Sequence, residues 1–403
     1  MKVCFLCANH APEAWGGTEQ VQVALARELR ASGVEVVAIA GSDVPHAGVD
    51  VRQEQHDGVT VHRVFKLPDE WDRQGFVRPR ILDLVRGLLQ RERPDVLHVH
   101  STASLGAGVT QLAQELGIPV LMAFHDLWVT CARYFRIPHG GVTCPTGSDR
   151  TPCVTCVNDA LQTDPADVAA RLAERDRVLR HEVQLTAART APSATAARLV
   201  RDCLPHAGPI EVIPHGLLRP VAAGARALPR EPGEVLRVGT FGGLVAEKGV
   251  HQLIDAVRGL PCELHLAGRL YDKALLDHLQ RSEAGGLRWH WHGEYTPADP
   301  HPATRLHLAV FPSLCQETYG LVVDEALAHG LPTVLSDRGA FAERATAPGV
   351  VVTPLDRLAD VLHELVTCPA RLQALRAAIP ASLPTIATAA ARHLELYRRL
   401  CRS

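Results

Sequence analysis

Strand-length runs of uninterrupted apolar residues alternate with helix-length amphipathic segments, and this alternation starts twice, at Val3 and again at Leu236. A continuous apolar strand must be covered on both faces, as in a parallel sheet with helices packed on either side. In the first half, residues 3–7 read as a strand. Gly16-Gly17-Thr18-Glu19 interrupts, and Val21, Ala24, Leu25 and Leu29 then recur at helical spacing up to Gly33. Strands follow at 34–40, 96–99 and 120–123, with helices at 81–89 and 109–116 between them. Residues 131–160 break the pattern with Gly, Pro and four Cys and read as an insertion or ordered loop. A long helix spans roughly 164–190, and short strands fall near Ala191 and at Glu211-Val212-Ile213.

RPVAAGARALPREPGE at 219–234 reads as a linker. Beyond it the alternation restarts, with strands at 236–240, 263–267, 307–311 and 333–335 and helices at 250–257, 275–280, 319–328 and 358–366. A chain of 403 residues exceeds the roughly 250–300 that one core supports. The fold expected is therefore α/β, with two doubly wound Rossmann-like domains facing across a cleft, the first at 1–218 and the second at 219–385. Ligands in such sheets sit beyond the carboxyl ends of the strands, so function is sought in the loops that follow them.

The net charge of −2 exerts no pull toward nucleic acid, and no run approaches the ~20 apolar residues that cross a bilayer. The start, MKVCFLCANHAPEAWGG, lacks the apolar core of a secretion signal, so a cytoplasmic location is expected. Arg78, Arg80, Arg86, Arg91 and Arg93 flank an apolar helix. A membrane-surface contact is open there, and a solvated helix face is the preferred reading.

Four segments carry chemistry. In FPSLCQETYGLVVDEALAHGLPTVLSD at 311–337, seven residues separate Glu317 from Glu325. Glu317 follows a strand, and Thr318-Tyr319-Gly320 are expected to open a helix whose free N–H groups suit a phosphate. Glu325, one to two turns in, can accept two ribose hydroxyls, and Glu317 can hold sugar hydroxyls in front of a diphosphate. The plainer reading is a helix-start acid and an incidental Glu. In VGTFGGLVAEKGVHQLIDAV at 238–257, Gly242 and Gly243 form a tight loop and Lys248 can place an ammonium on a leaving diphosphate. The plainer reading of Lys248 is a solvated helix start. Gly16-Gly17 let an anion or acceptor approach a helix N-terminus closely. His125, in Phe124-His125-Asp126, can hydrogen-bond a transferred sugar, or else is structural. His98 and His100 read as core or supporting groups.

Together these segments resemble the retaining GT-B glycosyltransferases of family 4. The family's E-x7-E motif is matched by Glu317 and Glu325, and its G-R-L-x-x-E-K-G loop by Gly242, Leu244, Glu247, Lys248 and Gly249. The G-G-x-E opening is matched by Gly16, Gly17 and Glu19, the H-D turn by His125 and Asp126, and the I-P-N-G turn by Ile213-Pro214-His215-Gly216. The resemblance spans essentially the whole chain. It implies transfer of a sugar, with retention, from a nucleoside diphosphate, uridine being preferred to guanosine. The acceptor is a small molecule or glycan. His125, Lys248 and Glu317 are the expected catalytic groups. Gly16, Gly17, Gly242, Gly243, Thr318, Tyr319, Gly320 and Glu325 join Lys248 and Glu317 around the donor. No catalytic metal is implied, and the chain has no D-x-D triplet to chelate one. Residues 386–403 are expected to cross back onto the first domain. The chain departs from the family at Gly243, where an Arg usually helps Lys248 hold the diphosphate; Arg237, Arg269 and Arg338 are the candidates to replace it. A silent scaffold on this fold and a sugar-nucleotide epimerase are the rival functions.

Cys131, Cys144, Cys153 and Cys156 have the spacing C-x12-C-x8-C-x2-C. Four thiolates suit a structural zinc with no position left for water, with His139 as a spare ligand. A disulfide pair and unlinked thiols are the alternatives.

Overall fold

The apolar runs become strands because their side chains are buried on both faces. In β1 (Lys2–Cys7) every residue from Val3 to Cys7 is fully buried, and β2 (Glu35–Gly41) is buried from its second residue on. The computed structural model describes residues 1–403 except 68–75, 163, 223, 228, 232, 271, 297 and 403. Three positions of the expected linker, 223, 228 and 232, therefore lie outside the described residues. The chain divides into two units, Met1–Leu218 with Thr385–Ser403, and Arg219–Pro384.

The first unit holds an eight-stranded sheet. After β1 and β2 come β3 (Asp50–His56), β4 (Val59–Phe65), β5 (Val96–Val99), β6 (Val120–Ala123), β7 (Ala188–Ala191) and β8 (Glu211–Val212), in the order β3-β4-β2-β1-β5-β6-β7-β8. All pairs are parallel except β3 with β4. Six helices interleave: α1 (Gly17–Ala31), α2 (Pro79–Glu92), α3 (Val109–Glu115), α4 (Thr151–Leu161), α5 (Pro165–Gln184) and α6 (Ala194–Cys203). The segment expected as a loop at 131–160 thus ends in a helix, α4. Pro152 at its start supplies a preset φ where no N–H is needed. Asp164 and Ser193 cap α5 and α6 by accepting from Ala166 and Ala196 N–H, at 2.7 and 3.0 Å. The buried Glu182 carboxylate reaches from α5 to accept from Gly108 and Thr110 N–H at 2.9 and 3.2 Å, so α3 is capped by another helix.

The second unit holds a six-stranded parallel sheet in the order β11-β10-β9-β12-β13-β14. Its strands are β9 (Leu236–Phe241), β10 (Cys262–Ala267), β11 (Arg288–Trp291), β12 (Leu308–Phe311), β13 (Thr333–Ser336) and β14 (Val350–Thr353). Its helices are α7 (Val250–Val257), α8 (Lys273–Ala284), α9 (Leu321–Ala328), α10 (Leu358–Thr367) and α11 (Pro369–Ala378). One core forms around Val238, Leu253, Leu264 and Leu362, and a second around Phe241, Phe311, Val323 and Phe341. The last helix, α12 (Ile386–Leu400), belongs to the first unit, where it packs on α1. Tyr397, fully buried, sets its hydroxyl 2.7 Å from His98 Nδ1.

Three of the arginines around α2 are engaged. Arg78 is buried and donates to Leu67 O at 2.8 Å, Arg86 pairs with Glu115 at 2.7 Å, and Arg91 lies beside Glu92 and His62. Among the described residues no helix is long and apolar enough to cross a membrane.

Candidate functional site

In the second unit, two loops at the carboxyl ends of neighbouring strands β9 and β12 converge. The first runs from Gly242 to Gly249. Gly249 has φ 73° and lies so close to Pro312 O that a Cβ would stand 1.8 Å from it, so this position admits only glycine. Leu314 N–H then donates to Glu247 O at 2.9 Å, which ties the loops together. Lys248 Nζ consequently reaches Glu317 Oε1 at 2.7 Å. Burial alone would pull the Lys248 pKa down, but the Glu317 carboxylate outweighs it and holds the ammonium above its ordinary value. Lys248 and Glu317, placed in one site from sequence, are therefore brought together as a charged pair.

Cys315 completes the group. Its Sγ lies 3.0 Å from Ser313 Oγ, 3.5 Å from Glu317 Oε1 and 3.9 Å from Lys248 Nζ. Burial and the Glu317 charge push its pKa up to about 11, so it stands in the site as a neutral thiol. Sequence analysis does not single out Cys315. Its place two residues before Glu317, in the same loop, was the available signal.

The turn after Glu317 differs from expectation. Thr318, Tyr319 and Gly320 do not open the helix: α9 begins at Leu321, with Gly320 at its N-cap in the left-handed region, φ 85°. A Cβ on Gly320 would collide with the Phe341 ring at 2.2 Å. The Tyr319 side chain turns into the core. Its hydroxyl donates to Asp324 Oδ2 at 2.5 Å, and Arg344 holds the other Asp324 oxygen at 3.0 Å. Gly339 has its Cβ position 2.2 Å from Glu317 O, and Ala340 N–H donates to that oxygen at 2.7 Å, fixing the Glu317 backbone from behind. Glu325 lies on α9, partly exposed, with Oε2 3.6 Å from His301 Nε2. His301 stacks on His329 at 4.4 Å and meets Phe241 edge-on at 4.9 Å. His301 was missed because it lies 24 residues upstream of Glu325, in a loop without a marker.

Gly242, with φ 107°, donates its N–H to Ala267 O at 3.0 Å, whereas the space around Gly243 is open to 4 Å. Of the three arginines that sequence offered in place of the family's Arg, Arg237 is excluded. It sits near the amino end of β9, paired with Glu234 and His307 at 3.0 Å each. Arg269 follows β10 at the carboxyl end, where Leu244 N–H donates to its carbonyl at 3.3 Å. Arg338 immediately precedes Gly339.

In the first unit, Gly16 caps α1 and Gly17 is its first residue. The Glu19 carboxylate folds back onto the Gly16 N–H; burial raises its pKa above the usual range. His125 follows β6 with Nε2 2.8 Å from His100 Nδ1, stacked between His100 and His215 at 4.9 and 5.2 Å. Burial, with His393 adding to it, drops its pKa to about 3. His125 is therefore neutral at physiological pH and can act as a hydrogen-bonding group rather than a cation. Asp126 accepts from Trp128 N–H at 2.8 Å.

Cys153 and Cys156 lie one turn apart on α4, and Cys156 Sγ accepts from His139 N–H at 3.3 Å. Cys131, Cys153 and Cys156 each push the Cys144 pKa upward, after burial, so the four thiols share one neighbourhood. All four are free. Among the described residues, a group of three ligand-type side chains with atoms mutually within 4.8 Å lies elsewhere, at Glu263, His265 and His290.

A family model for Glycosyltransferase Family 4 matches residues 15–217, and one for Glycosyl transferases group 1 matches 235–368. Over 99% of the chain and 97% of its own length, a GDP-mannose-dependent alpha-mannosyltransferase of Mycobacterium tuberculosis is 27% identical. A D-inositol 3-phosphate glycosyltransferase 1 of Catenulispora acidiphila is 29% identical over 90% of the chain and 85% of its own length. Sucrose-phosphate synthase from Thermosynechococcus elongatus shares the fold with TM-score 0.71, 19% identity and 99% coverage of both chains. Anabaena HepE in complex with UDP and glucose shares it with TM-score 0.67, 16% identity and 99% coverage of both. Two parallel-sheet units of this kind, with an acid–lysine pair at the strand ends, define a nucleotide-sugar-dependent glycosyltransferase of GT-B architecture. The chain belongs to Glycosyltransferase Family 4.

Proposed function

We propose that this chain transfers a mannosyl group, with retention, from GDP-mannose to a small-molecule or glycan acceptor. The second unit holds the donor and the first unit the acceptor. The Lys248–Glu317 pair carries this reading. A diphosphate beside Lys248 competes with Glu317 for the ammonium and frees the carboxylate to accept sugar hydroxyls. Negative charge growing on the leaving phosphate is then met by a cation already in position. The C1–O bond to the diphosphate breaks, and a leaving phosphate oxygen takes the acceptor hydroxyl proton. The new C1–O bond forms on the same face. Glu325 accepts the ribose hydroxyls, and Arg269, at the carboxyl end of β10, is the candidate for the guanidinium that Gly243 lacks. The relatives named for GDP-mannose support GDP over the UDP expected from sequence.

Thermal shift against GDP, UDP, ADP and TDP, with Glu325→Ala alongside, tests the base: GDP should raise the midpoint most, and the variant should lose that rise. A larger shift with UDP removes GDP-mannose as the donor. No shift with any nucleotide at millimolar concentration removes the donor site itself. Product anomers read by NMR decide retention. The thiol loop is proposed to close on a structural zinc through Cys131, Cys144, Cys153 and Cys156. Cobalt(II) substitution should then give the strong thiolate charge-transfer absorption, and its absence removes the zinc.

A further inference from the structure

The outer edge of the second sheet carries ligand-type side chains that glycosyl transfer does not use. β10 and β11 pair in parallel with His265 opposite His290 and Glu263 opposite Arg288. Residues two apart on a strand share a face, so Glu263, His265 and His290 stand together on one side of this edge pair. Glu263 Oε2 lies 3.6 Å from His265 Nε2 and 3.8 Å from His290 Nε2. Ligands bound at 2.0–2.1 Å to a tetrahedral zinc are about 3.3 Å apart; both Glu263–His distances are within a few tenths of an ångström of that, and the three ligand atoms all lie within 4.8 Å of one another.

The strongest sign is His265. It is only 8% exposed, yet its Nε2 makes no hydrogen bond, the Glu263 carboxylate lying just beyond reach at 3.6 Å. A buried ring nitrogen left unpaired is unfavourable, and a metal–nitrogen bond removes that penalty. Its other nitrogen, Nδ1, sits 2.9 Å from His292 Nε2, an outer contact of the kind that sets a ligand's tautomer. With the His265 proton on Nδ1 and shared with His292, the Nε2 lone pair faces Glu263 and His290. The exposed Arg305 then gives up its 3.1 Å contact with His292 Nδ1. Arg288 takes Glu263 Oε1 at 3.4 Å and leaves Oε2 to the ion.

We propose that Glu263, His265 and His290 bind one divalent first-row transition ion, zinc being the choice for two imidazoles and a carboxylate. The fourth position stays open to water. The ion links the edge strand β11 to its neighbour, β10.

Tag-free protein stripped with EDTA is titrated with zinc chloride by calorimetry, beside His290→Ala and Glu263→Gln. Both side chains are at least partly exposed, so both variants should fold. The wild-type chain should take up one zinc more than either variant. Cobalt(II) separates this site from the thiol loop, because imidazole and carboxylate ligands give only weak d–d bands. Those bands should vanish in His290→Ala while any thiolate charge-transfer absorption remains. Equal zinc uptake by the wild type and both variants overturns the proposal, as does an affinity weaker than millimolar.

Discussion

Lys248 and Glu317 are 69 residues apart in the chain, and their charged atoms meet at 2.7 Å. On the proposed reading, the pair is a resting arrangement that the donor diphosphate opens. Lys248→Ala should lower kcat/KM by about 10²–10³, the usual loss when one stabilising donor is removed from a transition state. Glu317→Gln keeps the shape but frees the ammonium, so it should bind free nucleoside diphosphate at least as tightly as wild type while losing turnover. Steady-state kinetics and nucleotide titration check both. Lys248→Ala with activity within twofold of wild type would remove Lys248 from the reaction.

Gly242 and Gly243 are neighbours with opposite tolerances. At Gly242 the φ of 107° costs a side chain of order 1–3 kcal/mol. Gly243 carries no such strain and has nothing within 4 Å. Gly243→Arg should therefore fold normally and tighten nucleoside diphosphate binding by up to about tenfold, within what a charged hydrogen bond contributes. Gly242→Arg should lower the melting midpoint. If Gly243→Arg binds no tighter, Arg269 already fills that role, and Arg269→Ala should then weaken binding.

The sheet alternation and the acids at 317 and 325 were legible because each depends on local pattern: uninterrupted apolar runs, and a spacing carried by one loop and helix. What was not legible depends on partners distant in sequence. β3 (DVRQEQH) is mostly exposed and has no apolar run, so it passed unread, although Asp57-Gly58 at its end, with φ 49° and 73°, is a hairpin turn pair. The direction of Tyr319 depends on Arg344 and Asp324, and neither marks itself in a one-dimensional pattern. β11 (RWHW) is an exposed edge strand for the same reason. Its histidine acquires meaning only beside His265.

A file of imidazoles runs through the first unit, with His98 in contact with His393 and His100, and His125 with His100 and His215. Burial is the leading cause that lowers all five: His125 falls to about 3, His393 to about 4, and His98, His100 and His215 fall well below their ordinary value. The unfolded chain takes up these protons below about pH 6.5 while the folded chain refuses them. Stability is therefore full above that pH and lost as pH falls toward 4. Each imidazole contributes up to about 1.4 kcal/mol per pH unit. Urea unfolding between pH 7.5 and 5 should show this decline, and His393→Gln should flatten it. A flat profile would mean that these rings are protonated in the folded protein.

Asp324 is buried beside Glu325, and its charge is balanced by Arg344 at 3.0 Å and by the Tyr319 hydroxyl at 2.5 Å. Breaking a buried pair from one side leaves an uncompensated charge and costs roughly 3–5 kcal/mol. Arg344 is partly exposed and Tyr319 would remain, so Arg344→Ala should cost about 2–3 kcal/mol in urea unfolding. Asp324→Asn, which removes the charge and keeps the shape, should cost less, and adding it to Arg344→Ala should restore part of the loss. The pair also sets the helix that presents Glu325, one residue on, so Arg344→Ala should weaken nucleotide binding without touching the ligand. A variant as stable as wild type would show that the Tyr319 hydroxyl holds Asp324 and α9 by itself.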